Sequence, residues 1–186
     1  MSFDLPGSVR PARLYAVQAG MVLFRNHHID YPGASFNPCL GETTRFAPLN
    51  RPDGQCIPTF YAATSFDAAA YETLFRGTPS PFAGVPRQEL DARSVSRLAP
   101  RRNLDLVPLF TPELLRLGLD AQAVFRPSQL VYPRCRQLAE MAWRDSPEAH
   151  GVIWTSVREN SAQAMVLFGD RLDRTDFDEI DTRSIA

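Results

Sequence analysis

Lysine is missing from this chain. All 20 of its basic residues are Arg, so every side-chain cation apart from His is a planar, permanently charged fork suited to carboxylate or phosphate. Neither sign of charge is in excess: 21 acidic residues leave a formal net charge of -1 and a pI near 6.3. That balance removes any global attraction to nucleic acid or to an anionic membrane, and an anion site must be local. Cysteine is scarce. Cys39, Cys56 and Cys135 are odd in number, far apart and form no C-x-x-C pair, which indicates neither a disulfide framework nor a zinc site and predicts reduced thiols. No apolar run approaches the roughly 20 residues that span a bilayer, and the N-terminal residues join no basic stretch to an apolar one. A soluble, cytoplasmic protein is expected, with no membrane and no direct nucleic-acid partner. Dinucleotide-binding G-x-G-x-x-G, phosphate-loop G-K-[ST], zinc-protease H-E-x-x-H and hydrolase G-x-S-x-G motifs are all absent. His27 and His28 are adjacent rather than at ligand spacing, so no metal site is expected and His28 reads as a loop residue.

What remains is an ordinary globular composition: 186 residues, 44% hydrophobic and 22% charged, with 16 Pro and 10 Gly spread through connections. One domain over residues 1–186 is the natural reading, with an N-terminal arm over 1–11 and a charged tail over 169–186 that is either a solvated end or a docking segment.

One stretch changes period in its middle. Thr59, Phe60 and Tyr61 are β-formers after Pro58, and from Phe66 onward Ala68, Ala69, Ala70, Glu72 and Leu74 favour helix. Thr64 and Ser65 offer capping hydroxyls at the junction, and Gly77 with Pro79 ends the helix. The expected buried stripe is Phe66, Ala69, Ala70, Thr73 and Leu74, which leaves Glu72 to one side, looking back toward the strand of Tyr61.

Strands are predicted at Leu14–Val17, Met21–Phe24 (ending at Arg25), Leu90–Leu98, Leu104–Phe110, Gly151–Trp154 and Ala164–Phe168. Helices are predicted from Thr111 to Gly118 and from Tyr132 to about Asp145. Residues 26–54 are punctuated by Pro and Gly with no helical period, and a segment of this length in a small domain points to site-building. The order gives an α+β domain with a mixed, largely antiparallel sheet and flanking helices.

Arg25 at a strand end, a looped Arg45, the F-Y-A-A-T-S…Y-E run from Phe60 to Glu72, L-D-L-V-P-L at Leu104–Leu109 and G-V-I-W-T-S-V-R followed by V-L-F between Gly151 and Phe168 together resemble the RES domain family. The resemblance spans most of the chain, and its Arg, Glu and Ser fall on Arg45 (with Arg25 a second family-type position), Glu72 and Ser156. Tyr61 matches the strand tyrosine. One departure is plain: where the family has Gly-Gly-Arg-Phe-Asn, this chain has Thr43-Thr44-Arg45-Phe46-Ala47, without the glycines that let backbone N–H groups approach an anion.

The resemblance implies a fold similar to ADP-ribosylating toxins and an enzyme that degrades NAD at the nicotinamide–ribose bond. NAD is then the substrate rather than a cofactor, inorganic phosphate is a possible co-substrate, and a cognate antitoxin restrains the enzyme and can carry it into an oligomer. Such a cleavage develops positive charge on the ribose, which one carboxylate beneath the ring stabilises; Glu72 is the candidate. Arg25 and Arg45 would clamp phosphates, Tyr61 would stack on nicotinamide or donate its hydroxyl, and Ser156 would hydrogen-bond ribose or carboxamide, with Arg158 and Asn160 as further candidates from the same loop. Each has a plain alternative: a solvated helix carboxylate for Glu72, salt bridges for the arginines, a half-buried strand aromatic for Tyr61, a turn hydroxyl for Ser156. Two other functions share the site: ADP-ribose transfer to a protein or small molecule, and a catalytically silent nucleotide-binding or interaction module.

Overall fold

The computed structural model of the chain describes residues 3–75, 84–126 and 128–185. In chain order the strands are β1 (Tyr15–Val17), β2 (Leu23–His28), β3 (Leu49–Asn50), β4 (Cys56–Ile57), β5 (Thr59–Ala63), β6 (Arg93–Pro100), β7 (Leu104–Pro108), β8 (Gly151–Thr155), β9 (Gln163–Phe168) and β10 (Phe177–Ser184). The helices are α1 (Phe66–Thr73), α2 (Arg87–Asp91), α3 (Thr111–Arg116), α4 (Ala121–Val124) and α5 (Tyr132–Asp145). None of the described helices is long and apolar enough to cross a membrane.

Eight strands form one sheet in the order β1-β7-β8-β9-β5-β2-β6-β10, and β3 pairs with β4 in a separate hairpin. Every ladder of the large sheet is antiparallel except β7–β8. This is the mixed, largely antiparallel α+β architecture that the order of elements predicts. Strands β8 and β9 lie inside the sheet with both faces covered, which explains their continuous apolar runs, V-I-W and A-M-V-L-F. Alternation along them separates two cores. Tyr61, Ala63, Val152, Trp154, Val166 and Phe168 pack with α1 and α5 on one face, while Phe60, Ala62, Ile153, Met165 and Leu167 pack on the other.

The β5–α1 unit forms as its residues predict. Ser65 is extended and its side chain accepts the Ala68 N–H, while Ala68, Ala69, Ala70 and Leu74 are buried. Phe66 departs from the expected stripe and is 46% exposed, because the burial starts two positions later, on Ala68. The residues that were to stop this helix, Gly77 and Pro79, lie outside the described segments.

Four other expectations change. Strand β2 does not stop at Arg25 but runs through Asn26 and His27 to His28, paired with β6 down to Arg93. His28 is therefore a strand residue, and His27 is buried with Nε2 2.8 Å from Ser96 Oγ. Leu90 belongs to α2, so β6 starts at Arg93. The charged tail is neither loose nor separate where it is described: over Phe177–Ser184 it forms β10, the edge strand beside β6, where Asp181 meets Arg97 and Asp178 meets Arg101 at 2.7 Å. Its alternating charges suit an edge that must resist pairing with another chain. Finally, Cys39 and Cys56 form a disulfide with Cα atoms 6.4 Å apart. The β3–β4 hairpin folds Cys56 back against the Cys39 loop, a proximity that spacing along the chain does not encode; Cys135 stays free and buried.

Candidate active site

Strands β2 and β5 are neighbours that share a single pairing, Phe24 with Ala63. Beyond it they part, and the wedge opens into a cavity of about 630 Å³ lined by Arg25, Asn26 and His27 of β2, Tyr61 of β5, Glu72 of α1 and the loop that carries Cys39 and Thr44. A second recess of about 50 Å³ adjoins, lined by Arg45, Tyr61, Tyr71, Glu72, Phe125, Tyr132, Val157 and Arg158. Tyr61 and Glu72 face both.

Glu72 is placed by α1, which packs against β2, β5 and β9. Ser156, 1% exposed at the end of β8, donates its hydroxyl to Glu72 Oε1 at 3.1 Å, and its own backbone N–H is tied to the Ala162 carbonyl at 3.0 Å. Burial pushes the Glu72 carboxyl above the ordinary carboxylate range, and the Ser156 hydroxyl, the Arg45 charge, Trp154 and Arg158 each pull it back toward ionisation. Trp154 Nε1 closes no hydrogen bond of ordinary geometry among the described residues, so its influence on the carboxylate is that of a nearby N–H dipole. A desolvated carboxylate among weakly screened positive groups is well suited to a cationic species in the adjoining cavity.

The two arginines divide their work. Arg25 is buried, its guanidinium lies 4.0 Å over the Phe60 ring, and Nη1 has no hydrogen-bond partner among the described residues. Burial lowers its pKa to about 9, which leaves it cationic at neutral pH. Arg45 is instead held by backbone: it donates to the carbonyls of Val124 at 2.7 Å and Arg126 at 3.2 Å, capping the C-terminal end of α4, and stacks near Phe125 and Tyr132. It reaches Glu72 through its charge rather than through a contact.

The Tyr61 hydroxyl is also committed. It accepts the Phe46 N–H at 2.9 Å and lies 2.7 Å from the Thr44 hydroxyl, which stitches the Thr44–Phe46 loop to β5. Thr44, where the expected pattern has Gly, thus has a structural partner. Arg158 donates to the Phe75 carbonyl at 2.6 Å, tying the β8–β9 loop to the end of α1. Asn160 is exposed and lines neither cavity.

The sequence-derived candidates thus fall into a cluster of Arg25, Arg45, Tyr61, Glu72, Ser156 and Arg158, with Asn160 outside it. Two residues of the same site escaped the sequence reading. Asn26 is 6% exposed, and its position beside Arg25 becomes informative only once β2 is seen to continue past Arg25. Trp154 reads as one more apolar residue of a buried strand, and nothing in V-I-W-T-S marks its N–H.

The family model for the RES domain matches residues 22–183, which include every residue of the cluster. No curated protein sequence matches the chain. Among solved structures, a chain of the M. tuberculosis MbcT–MbcA toxin–antitoxin complex superposes with a TM-score of 0.65 at 16% identity, covering 90% of this chain and 85% of that one.

Proposed function

The chain belongs to the RES domain family, and from that premise we propose that it cleaves the nicotinamide–ribose bond of NAD as the toxin of a toxin–antitoxin pair. The observation that carries the reading is the desolvated Glu72 carboxylate, held by Ser156 at 3.1 Å on the wall of a cavity that Arg25 also lines, its Nη1 without a hydrogen-bond partner among the described residues. The cavity, at about 630 Å³, is of the size that holds a nucleotide-scale ligand.

In this reading the pyrophosphate lies toward Arg25, whose buried Nη1 has no acceptor among the described residues. The ribose lies against Glu72. When the C1′–N bond breaks, its electron pair returns to the pyridinium nitrogen and neutralises it, so the leaving group needs no general acid. The positive charge passes to the ribose ring, where Glu72 stabilises it in a low-dielectric setting. Attack by a phosphate oxygen gives a phosphorylated ADP-ribose, and attack by water gives ADP-ribose and one proton, which the raised pKa of Glu72 equips it to accept. Tyr61 and Arg45 act by position: one holds the Thr44–Phe46 loop, the other locks α4 against the small recess.

The partner half of the proposal draws support from the complex in which the MbcT–MbcA structure was solved, and from Ile29, Tyr31 and Leu40, which are 52%, 50% and 60% exposed beside the cavity. An antitoxin covering that rim would close the cavity.

The test is nicotinamide release from NAD by the purified protein, with and without inorganic phosphate, together with the mass of the ribosyl product. Phosphate-dependent release identifies a phosphorylase, and phosphate-independent release a glycohydrolase. No release from a folded, partner-free sample overturns the reading.

A further inference from the structure

Asn26 carries the least explained polar group in the cavity. It is one of the residues that line the wedge between β2 and β5, it is 6% exposed, and neither Nδ2 nor Oδ1 has a hydrogen-bond partner among the described residues. Buried amides are almost always paired, and one that is open on both its donor and its acceptor is set for a ligand that offers both in return.

The position of Asn26 says which part of a ligand that is. Strand alternation places Asn26 on the face of Phe24, which packs in the core with Tyr61, Ala68 and Ala69, whereas Arg25 and His27 point to the face of Phe60 and Ser96. Continuing the Phe24–Ala63 register would set Asn26 opposite Tyr61, but the strands have already parted there. The amide therefore lies on the face of Tyr61 and α1, while Arg25 borders the same cavity from the other face, where the two strands have parted.

We propose that Asn26 is a specificity residue that reads the carboxamide of the nicotinamide leaving group, pairing its Nδ2–H with the carboxamide oxygen and its Oδ1 with the carboxamide N–H. The proposal rests on NAD cleavage at Glu72. If Glu72 stabilises the ribose, the group attached at C1′ must lie within a few ångströms of it, on the Asn26 face. A primary carboxamide is the part of that leaving group that supplies one acceptor and one donor side by side. The adenine edge also presents such a pair, but it belongs to the distant end of the molecule, beyond the pyrophosphate.

The test compares Asn26→Leu and wild type on three substrates: NAD, its analogue with an unsubstituted pyridinium ring, and its analogue with hypoxanthine in place of adenine. For Asn26→Leu, kcat/KM should fall by at least about tenfold on NAD and on the hypoxanthine analogue, and change less than about threefold on the pyridinium analogue, since two hydrogen bonds are lost only where the carboxamide exists. Asn26→Asp, which keeps the shape and the acceptor but not the donor, should lie in between. The melting temperature of Asn26→Leu should not fall, because an unpaired buried amide is replaced by an apolar group of similar size.

An equal loss on NAD and the pyridinium analogue overturns the assignment, and a loss that tracks adenine moves Asn26 to the other end of the ligand and overturns it too. If wild type consumes none of the three, NAD cleavage itself has failed. If it consumes NAD and the variants keep its preference, only the role of Asn26 has failed.

Discussion

The Ser156 hydroxyl donates to Glu72 Oε1 across 3.1 Å, linking residues 84 positions apart through the packing of α1 against β9, the neighbour of β8. The bond has a direction: it favours the ionised carboxylate in a place where burial disfavours it. The hydroxyl thus offsets part of the neutralisation that burial favours.

Glu72→Gln should abolish NAD turnover, by about 10³-fold or more if electrostatic stabilisation of the ribose cation is the main contribution. It should also stabilise the protein at neutral pH. The folded-state pKa of Glu72 lies above its ordinary value of 4.5, so the ionised form weakens the fold; that penalty is absent below 4.5, grows as pH rises toward the folded pKa and is complete above it. Melting temperatures at pH 7 and pH 4 check this, with the variant ahead at pH 7 and the gap closing at pH 4.

The acid limb of kcat/KM should lie above 4.5 in the wild type, because catalysis needs the ionised carboxylate and burial holds its proton. Ser156→Ala removes a group that lowers this pKa and should move the limb further toward neutral pH. An unmoved limb in Ser156→Ala would leave the hydroxyl without an electrostatic role.

The two arginines should part company under mutation. Arg25→Met removes a buried cation that no carboxylate among the described residues pairs with, so the melting temperature should hold or rise while KM for NAD increases. Arg45→Met strips donors from the carbonyls of Val124 and Arg126 and should cost about 1–3 kcal/mol of stability. Denaturant unfolding of both variants separates the two roles.

Tyr61→Phe keeps the ring and deletes the hydroxyl that holds the Phe46 N–H and the Thr44 hydroxyl. Loss of stability should be about 1–2 kcal/mol, from a buried N–H left without its acceptor. Activity should fall through both kcat and KM, because the loop forms one side of the cavity. A purely stacking tyrosine would leave the unfolding free energy unchanged.

Much of the architecture was legible in order. The apolar runs of β8 and β9, the Thr111 and Tyr132 helix starts and the Ser65 cap are local signals, and each produced its element where it stands. The residues that failed to signal did so for a physical reason. Asn26 and His27 look like loop residues because polar side chains seldom line a buried strand; here the β2–β5 wedge gives one a cavity and Ser96 gives the other a partner. The β10 strand was hidden by its charge, since an exposed edge strand has the composition of a solvated tail.

The sequence by itself determined the class of fold, the strand-to-helix unit that carries Tyr61 and Glu72, and the chemical types available: carboxylate, guanidinium, hydroxyl. Those follow from period, capping and residue chemistry, which act within a few positions along the chain. Only the tertiary structure decided which arginine has a donor free and which is consumed by backbone carbonyls, that Ser156 faces Glu72, and that Cys39 meets Cys56. Partners separated by 79 or 84 positions are chosen by how the sheet and helices pack, and no local pattern encodes that choice.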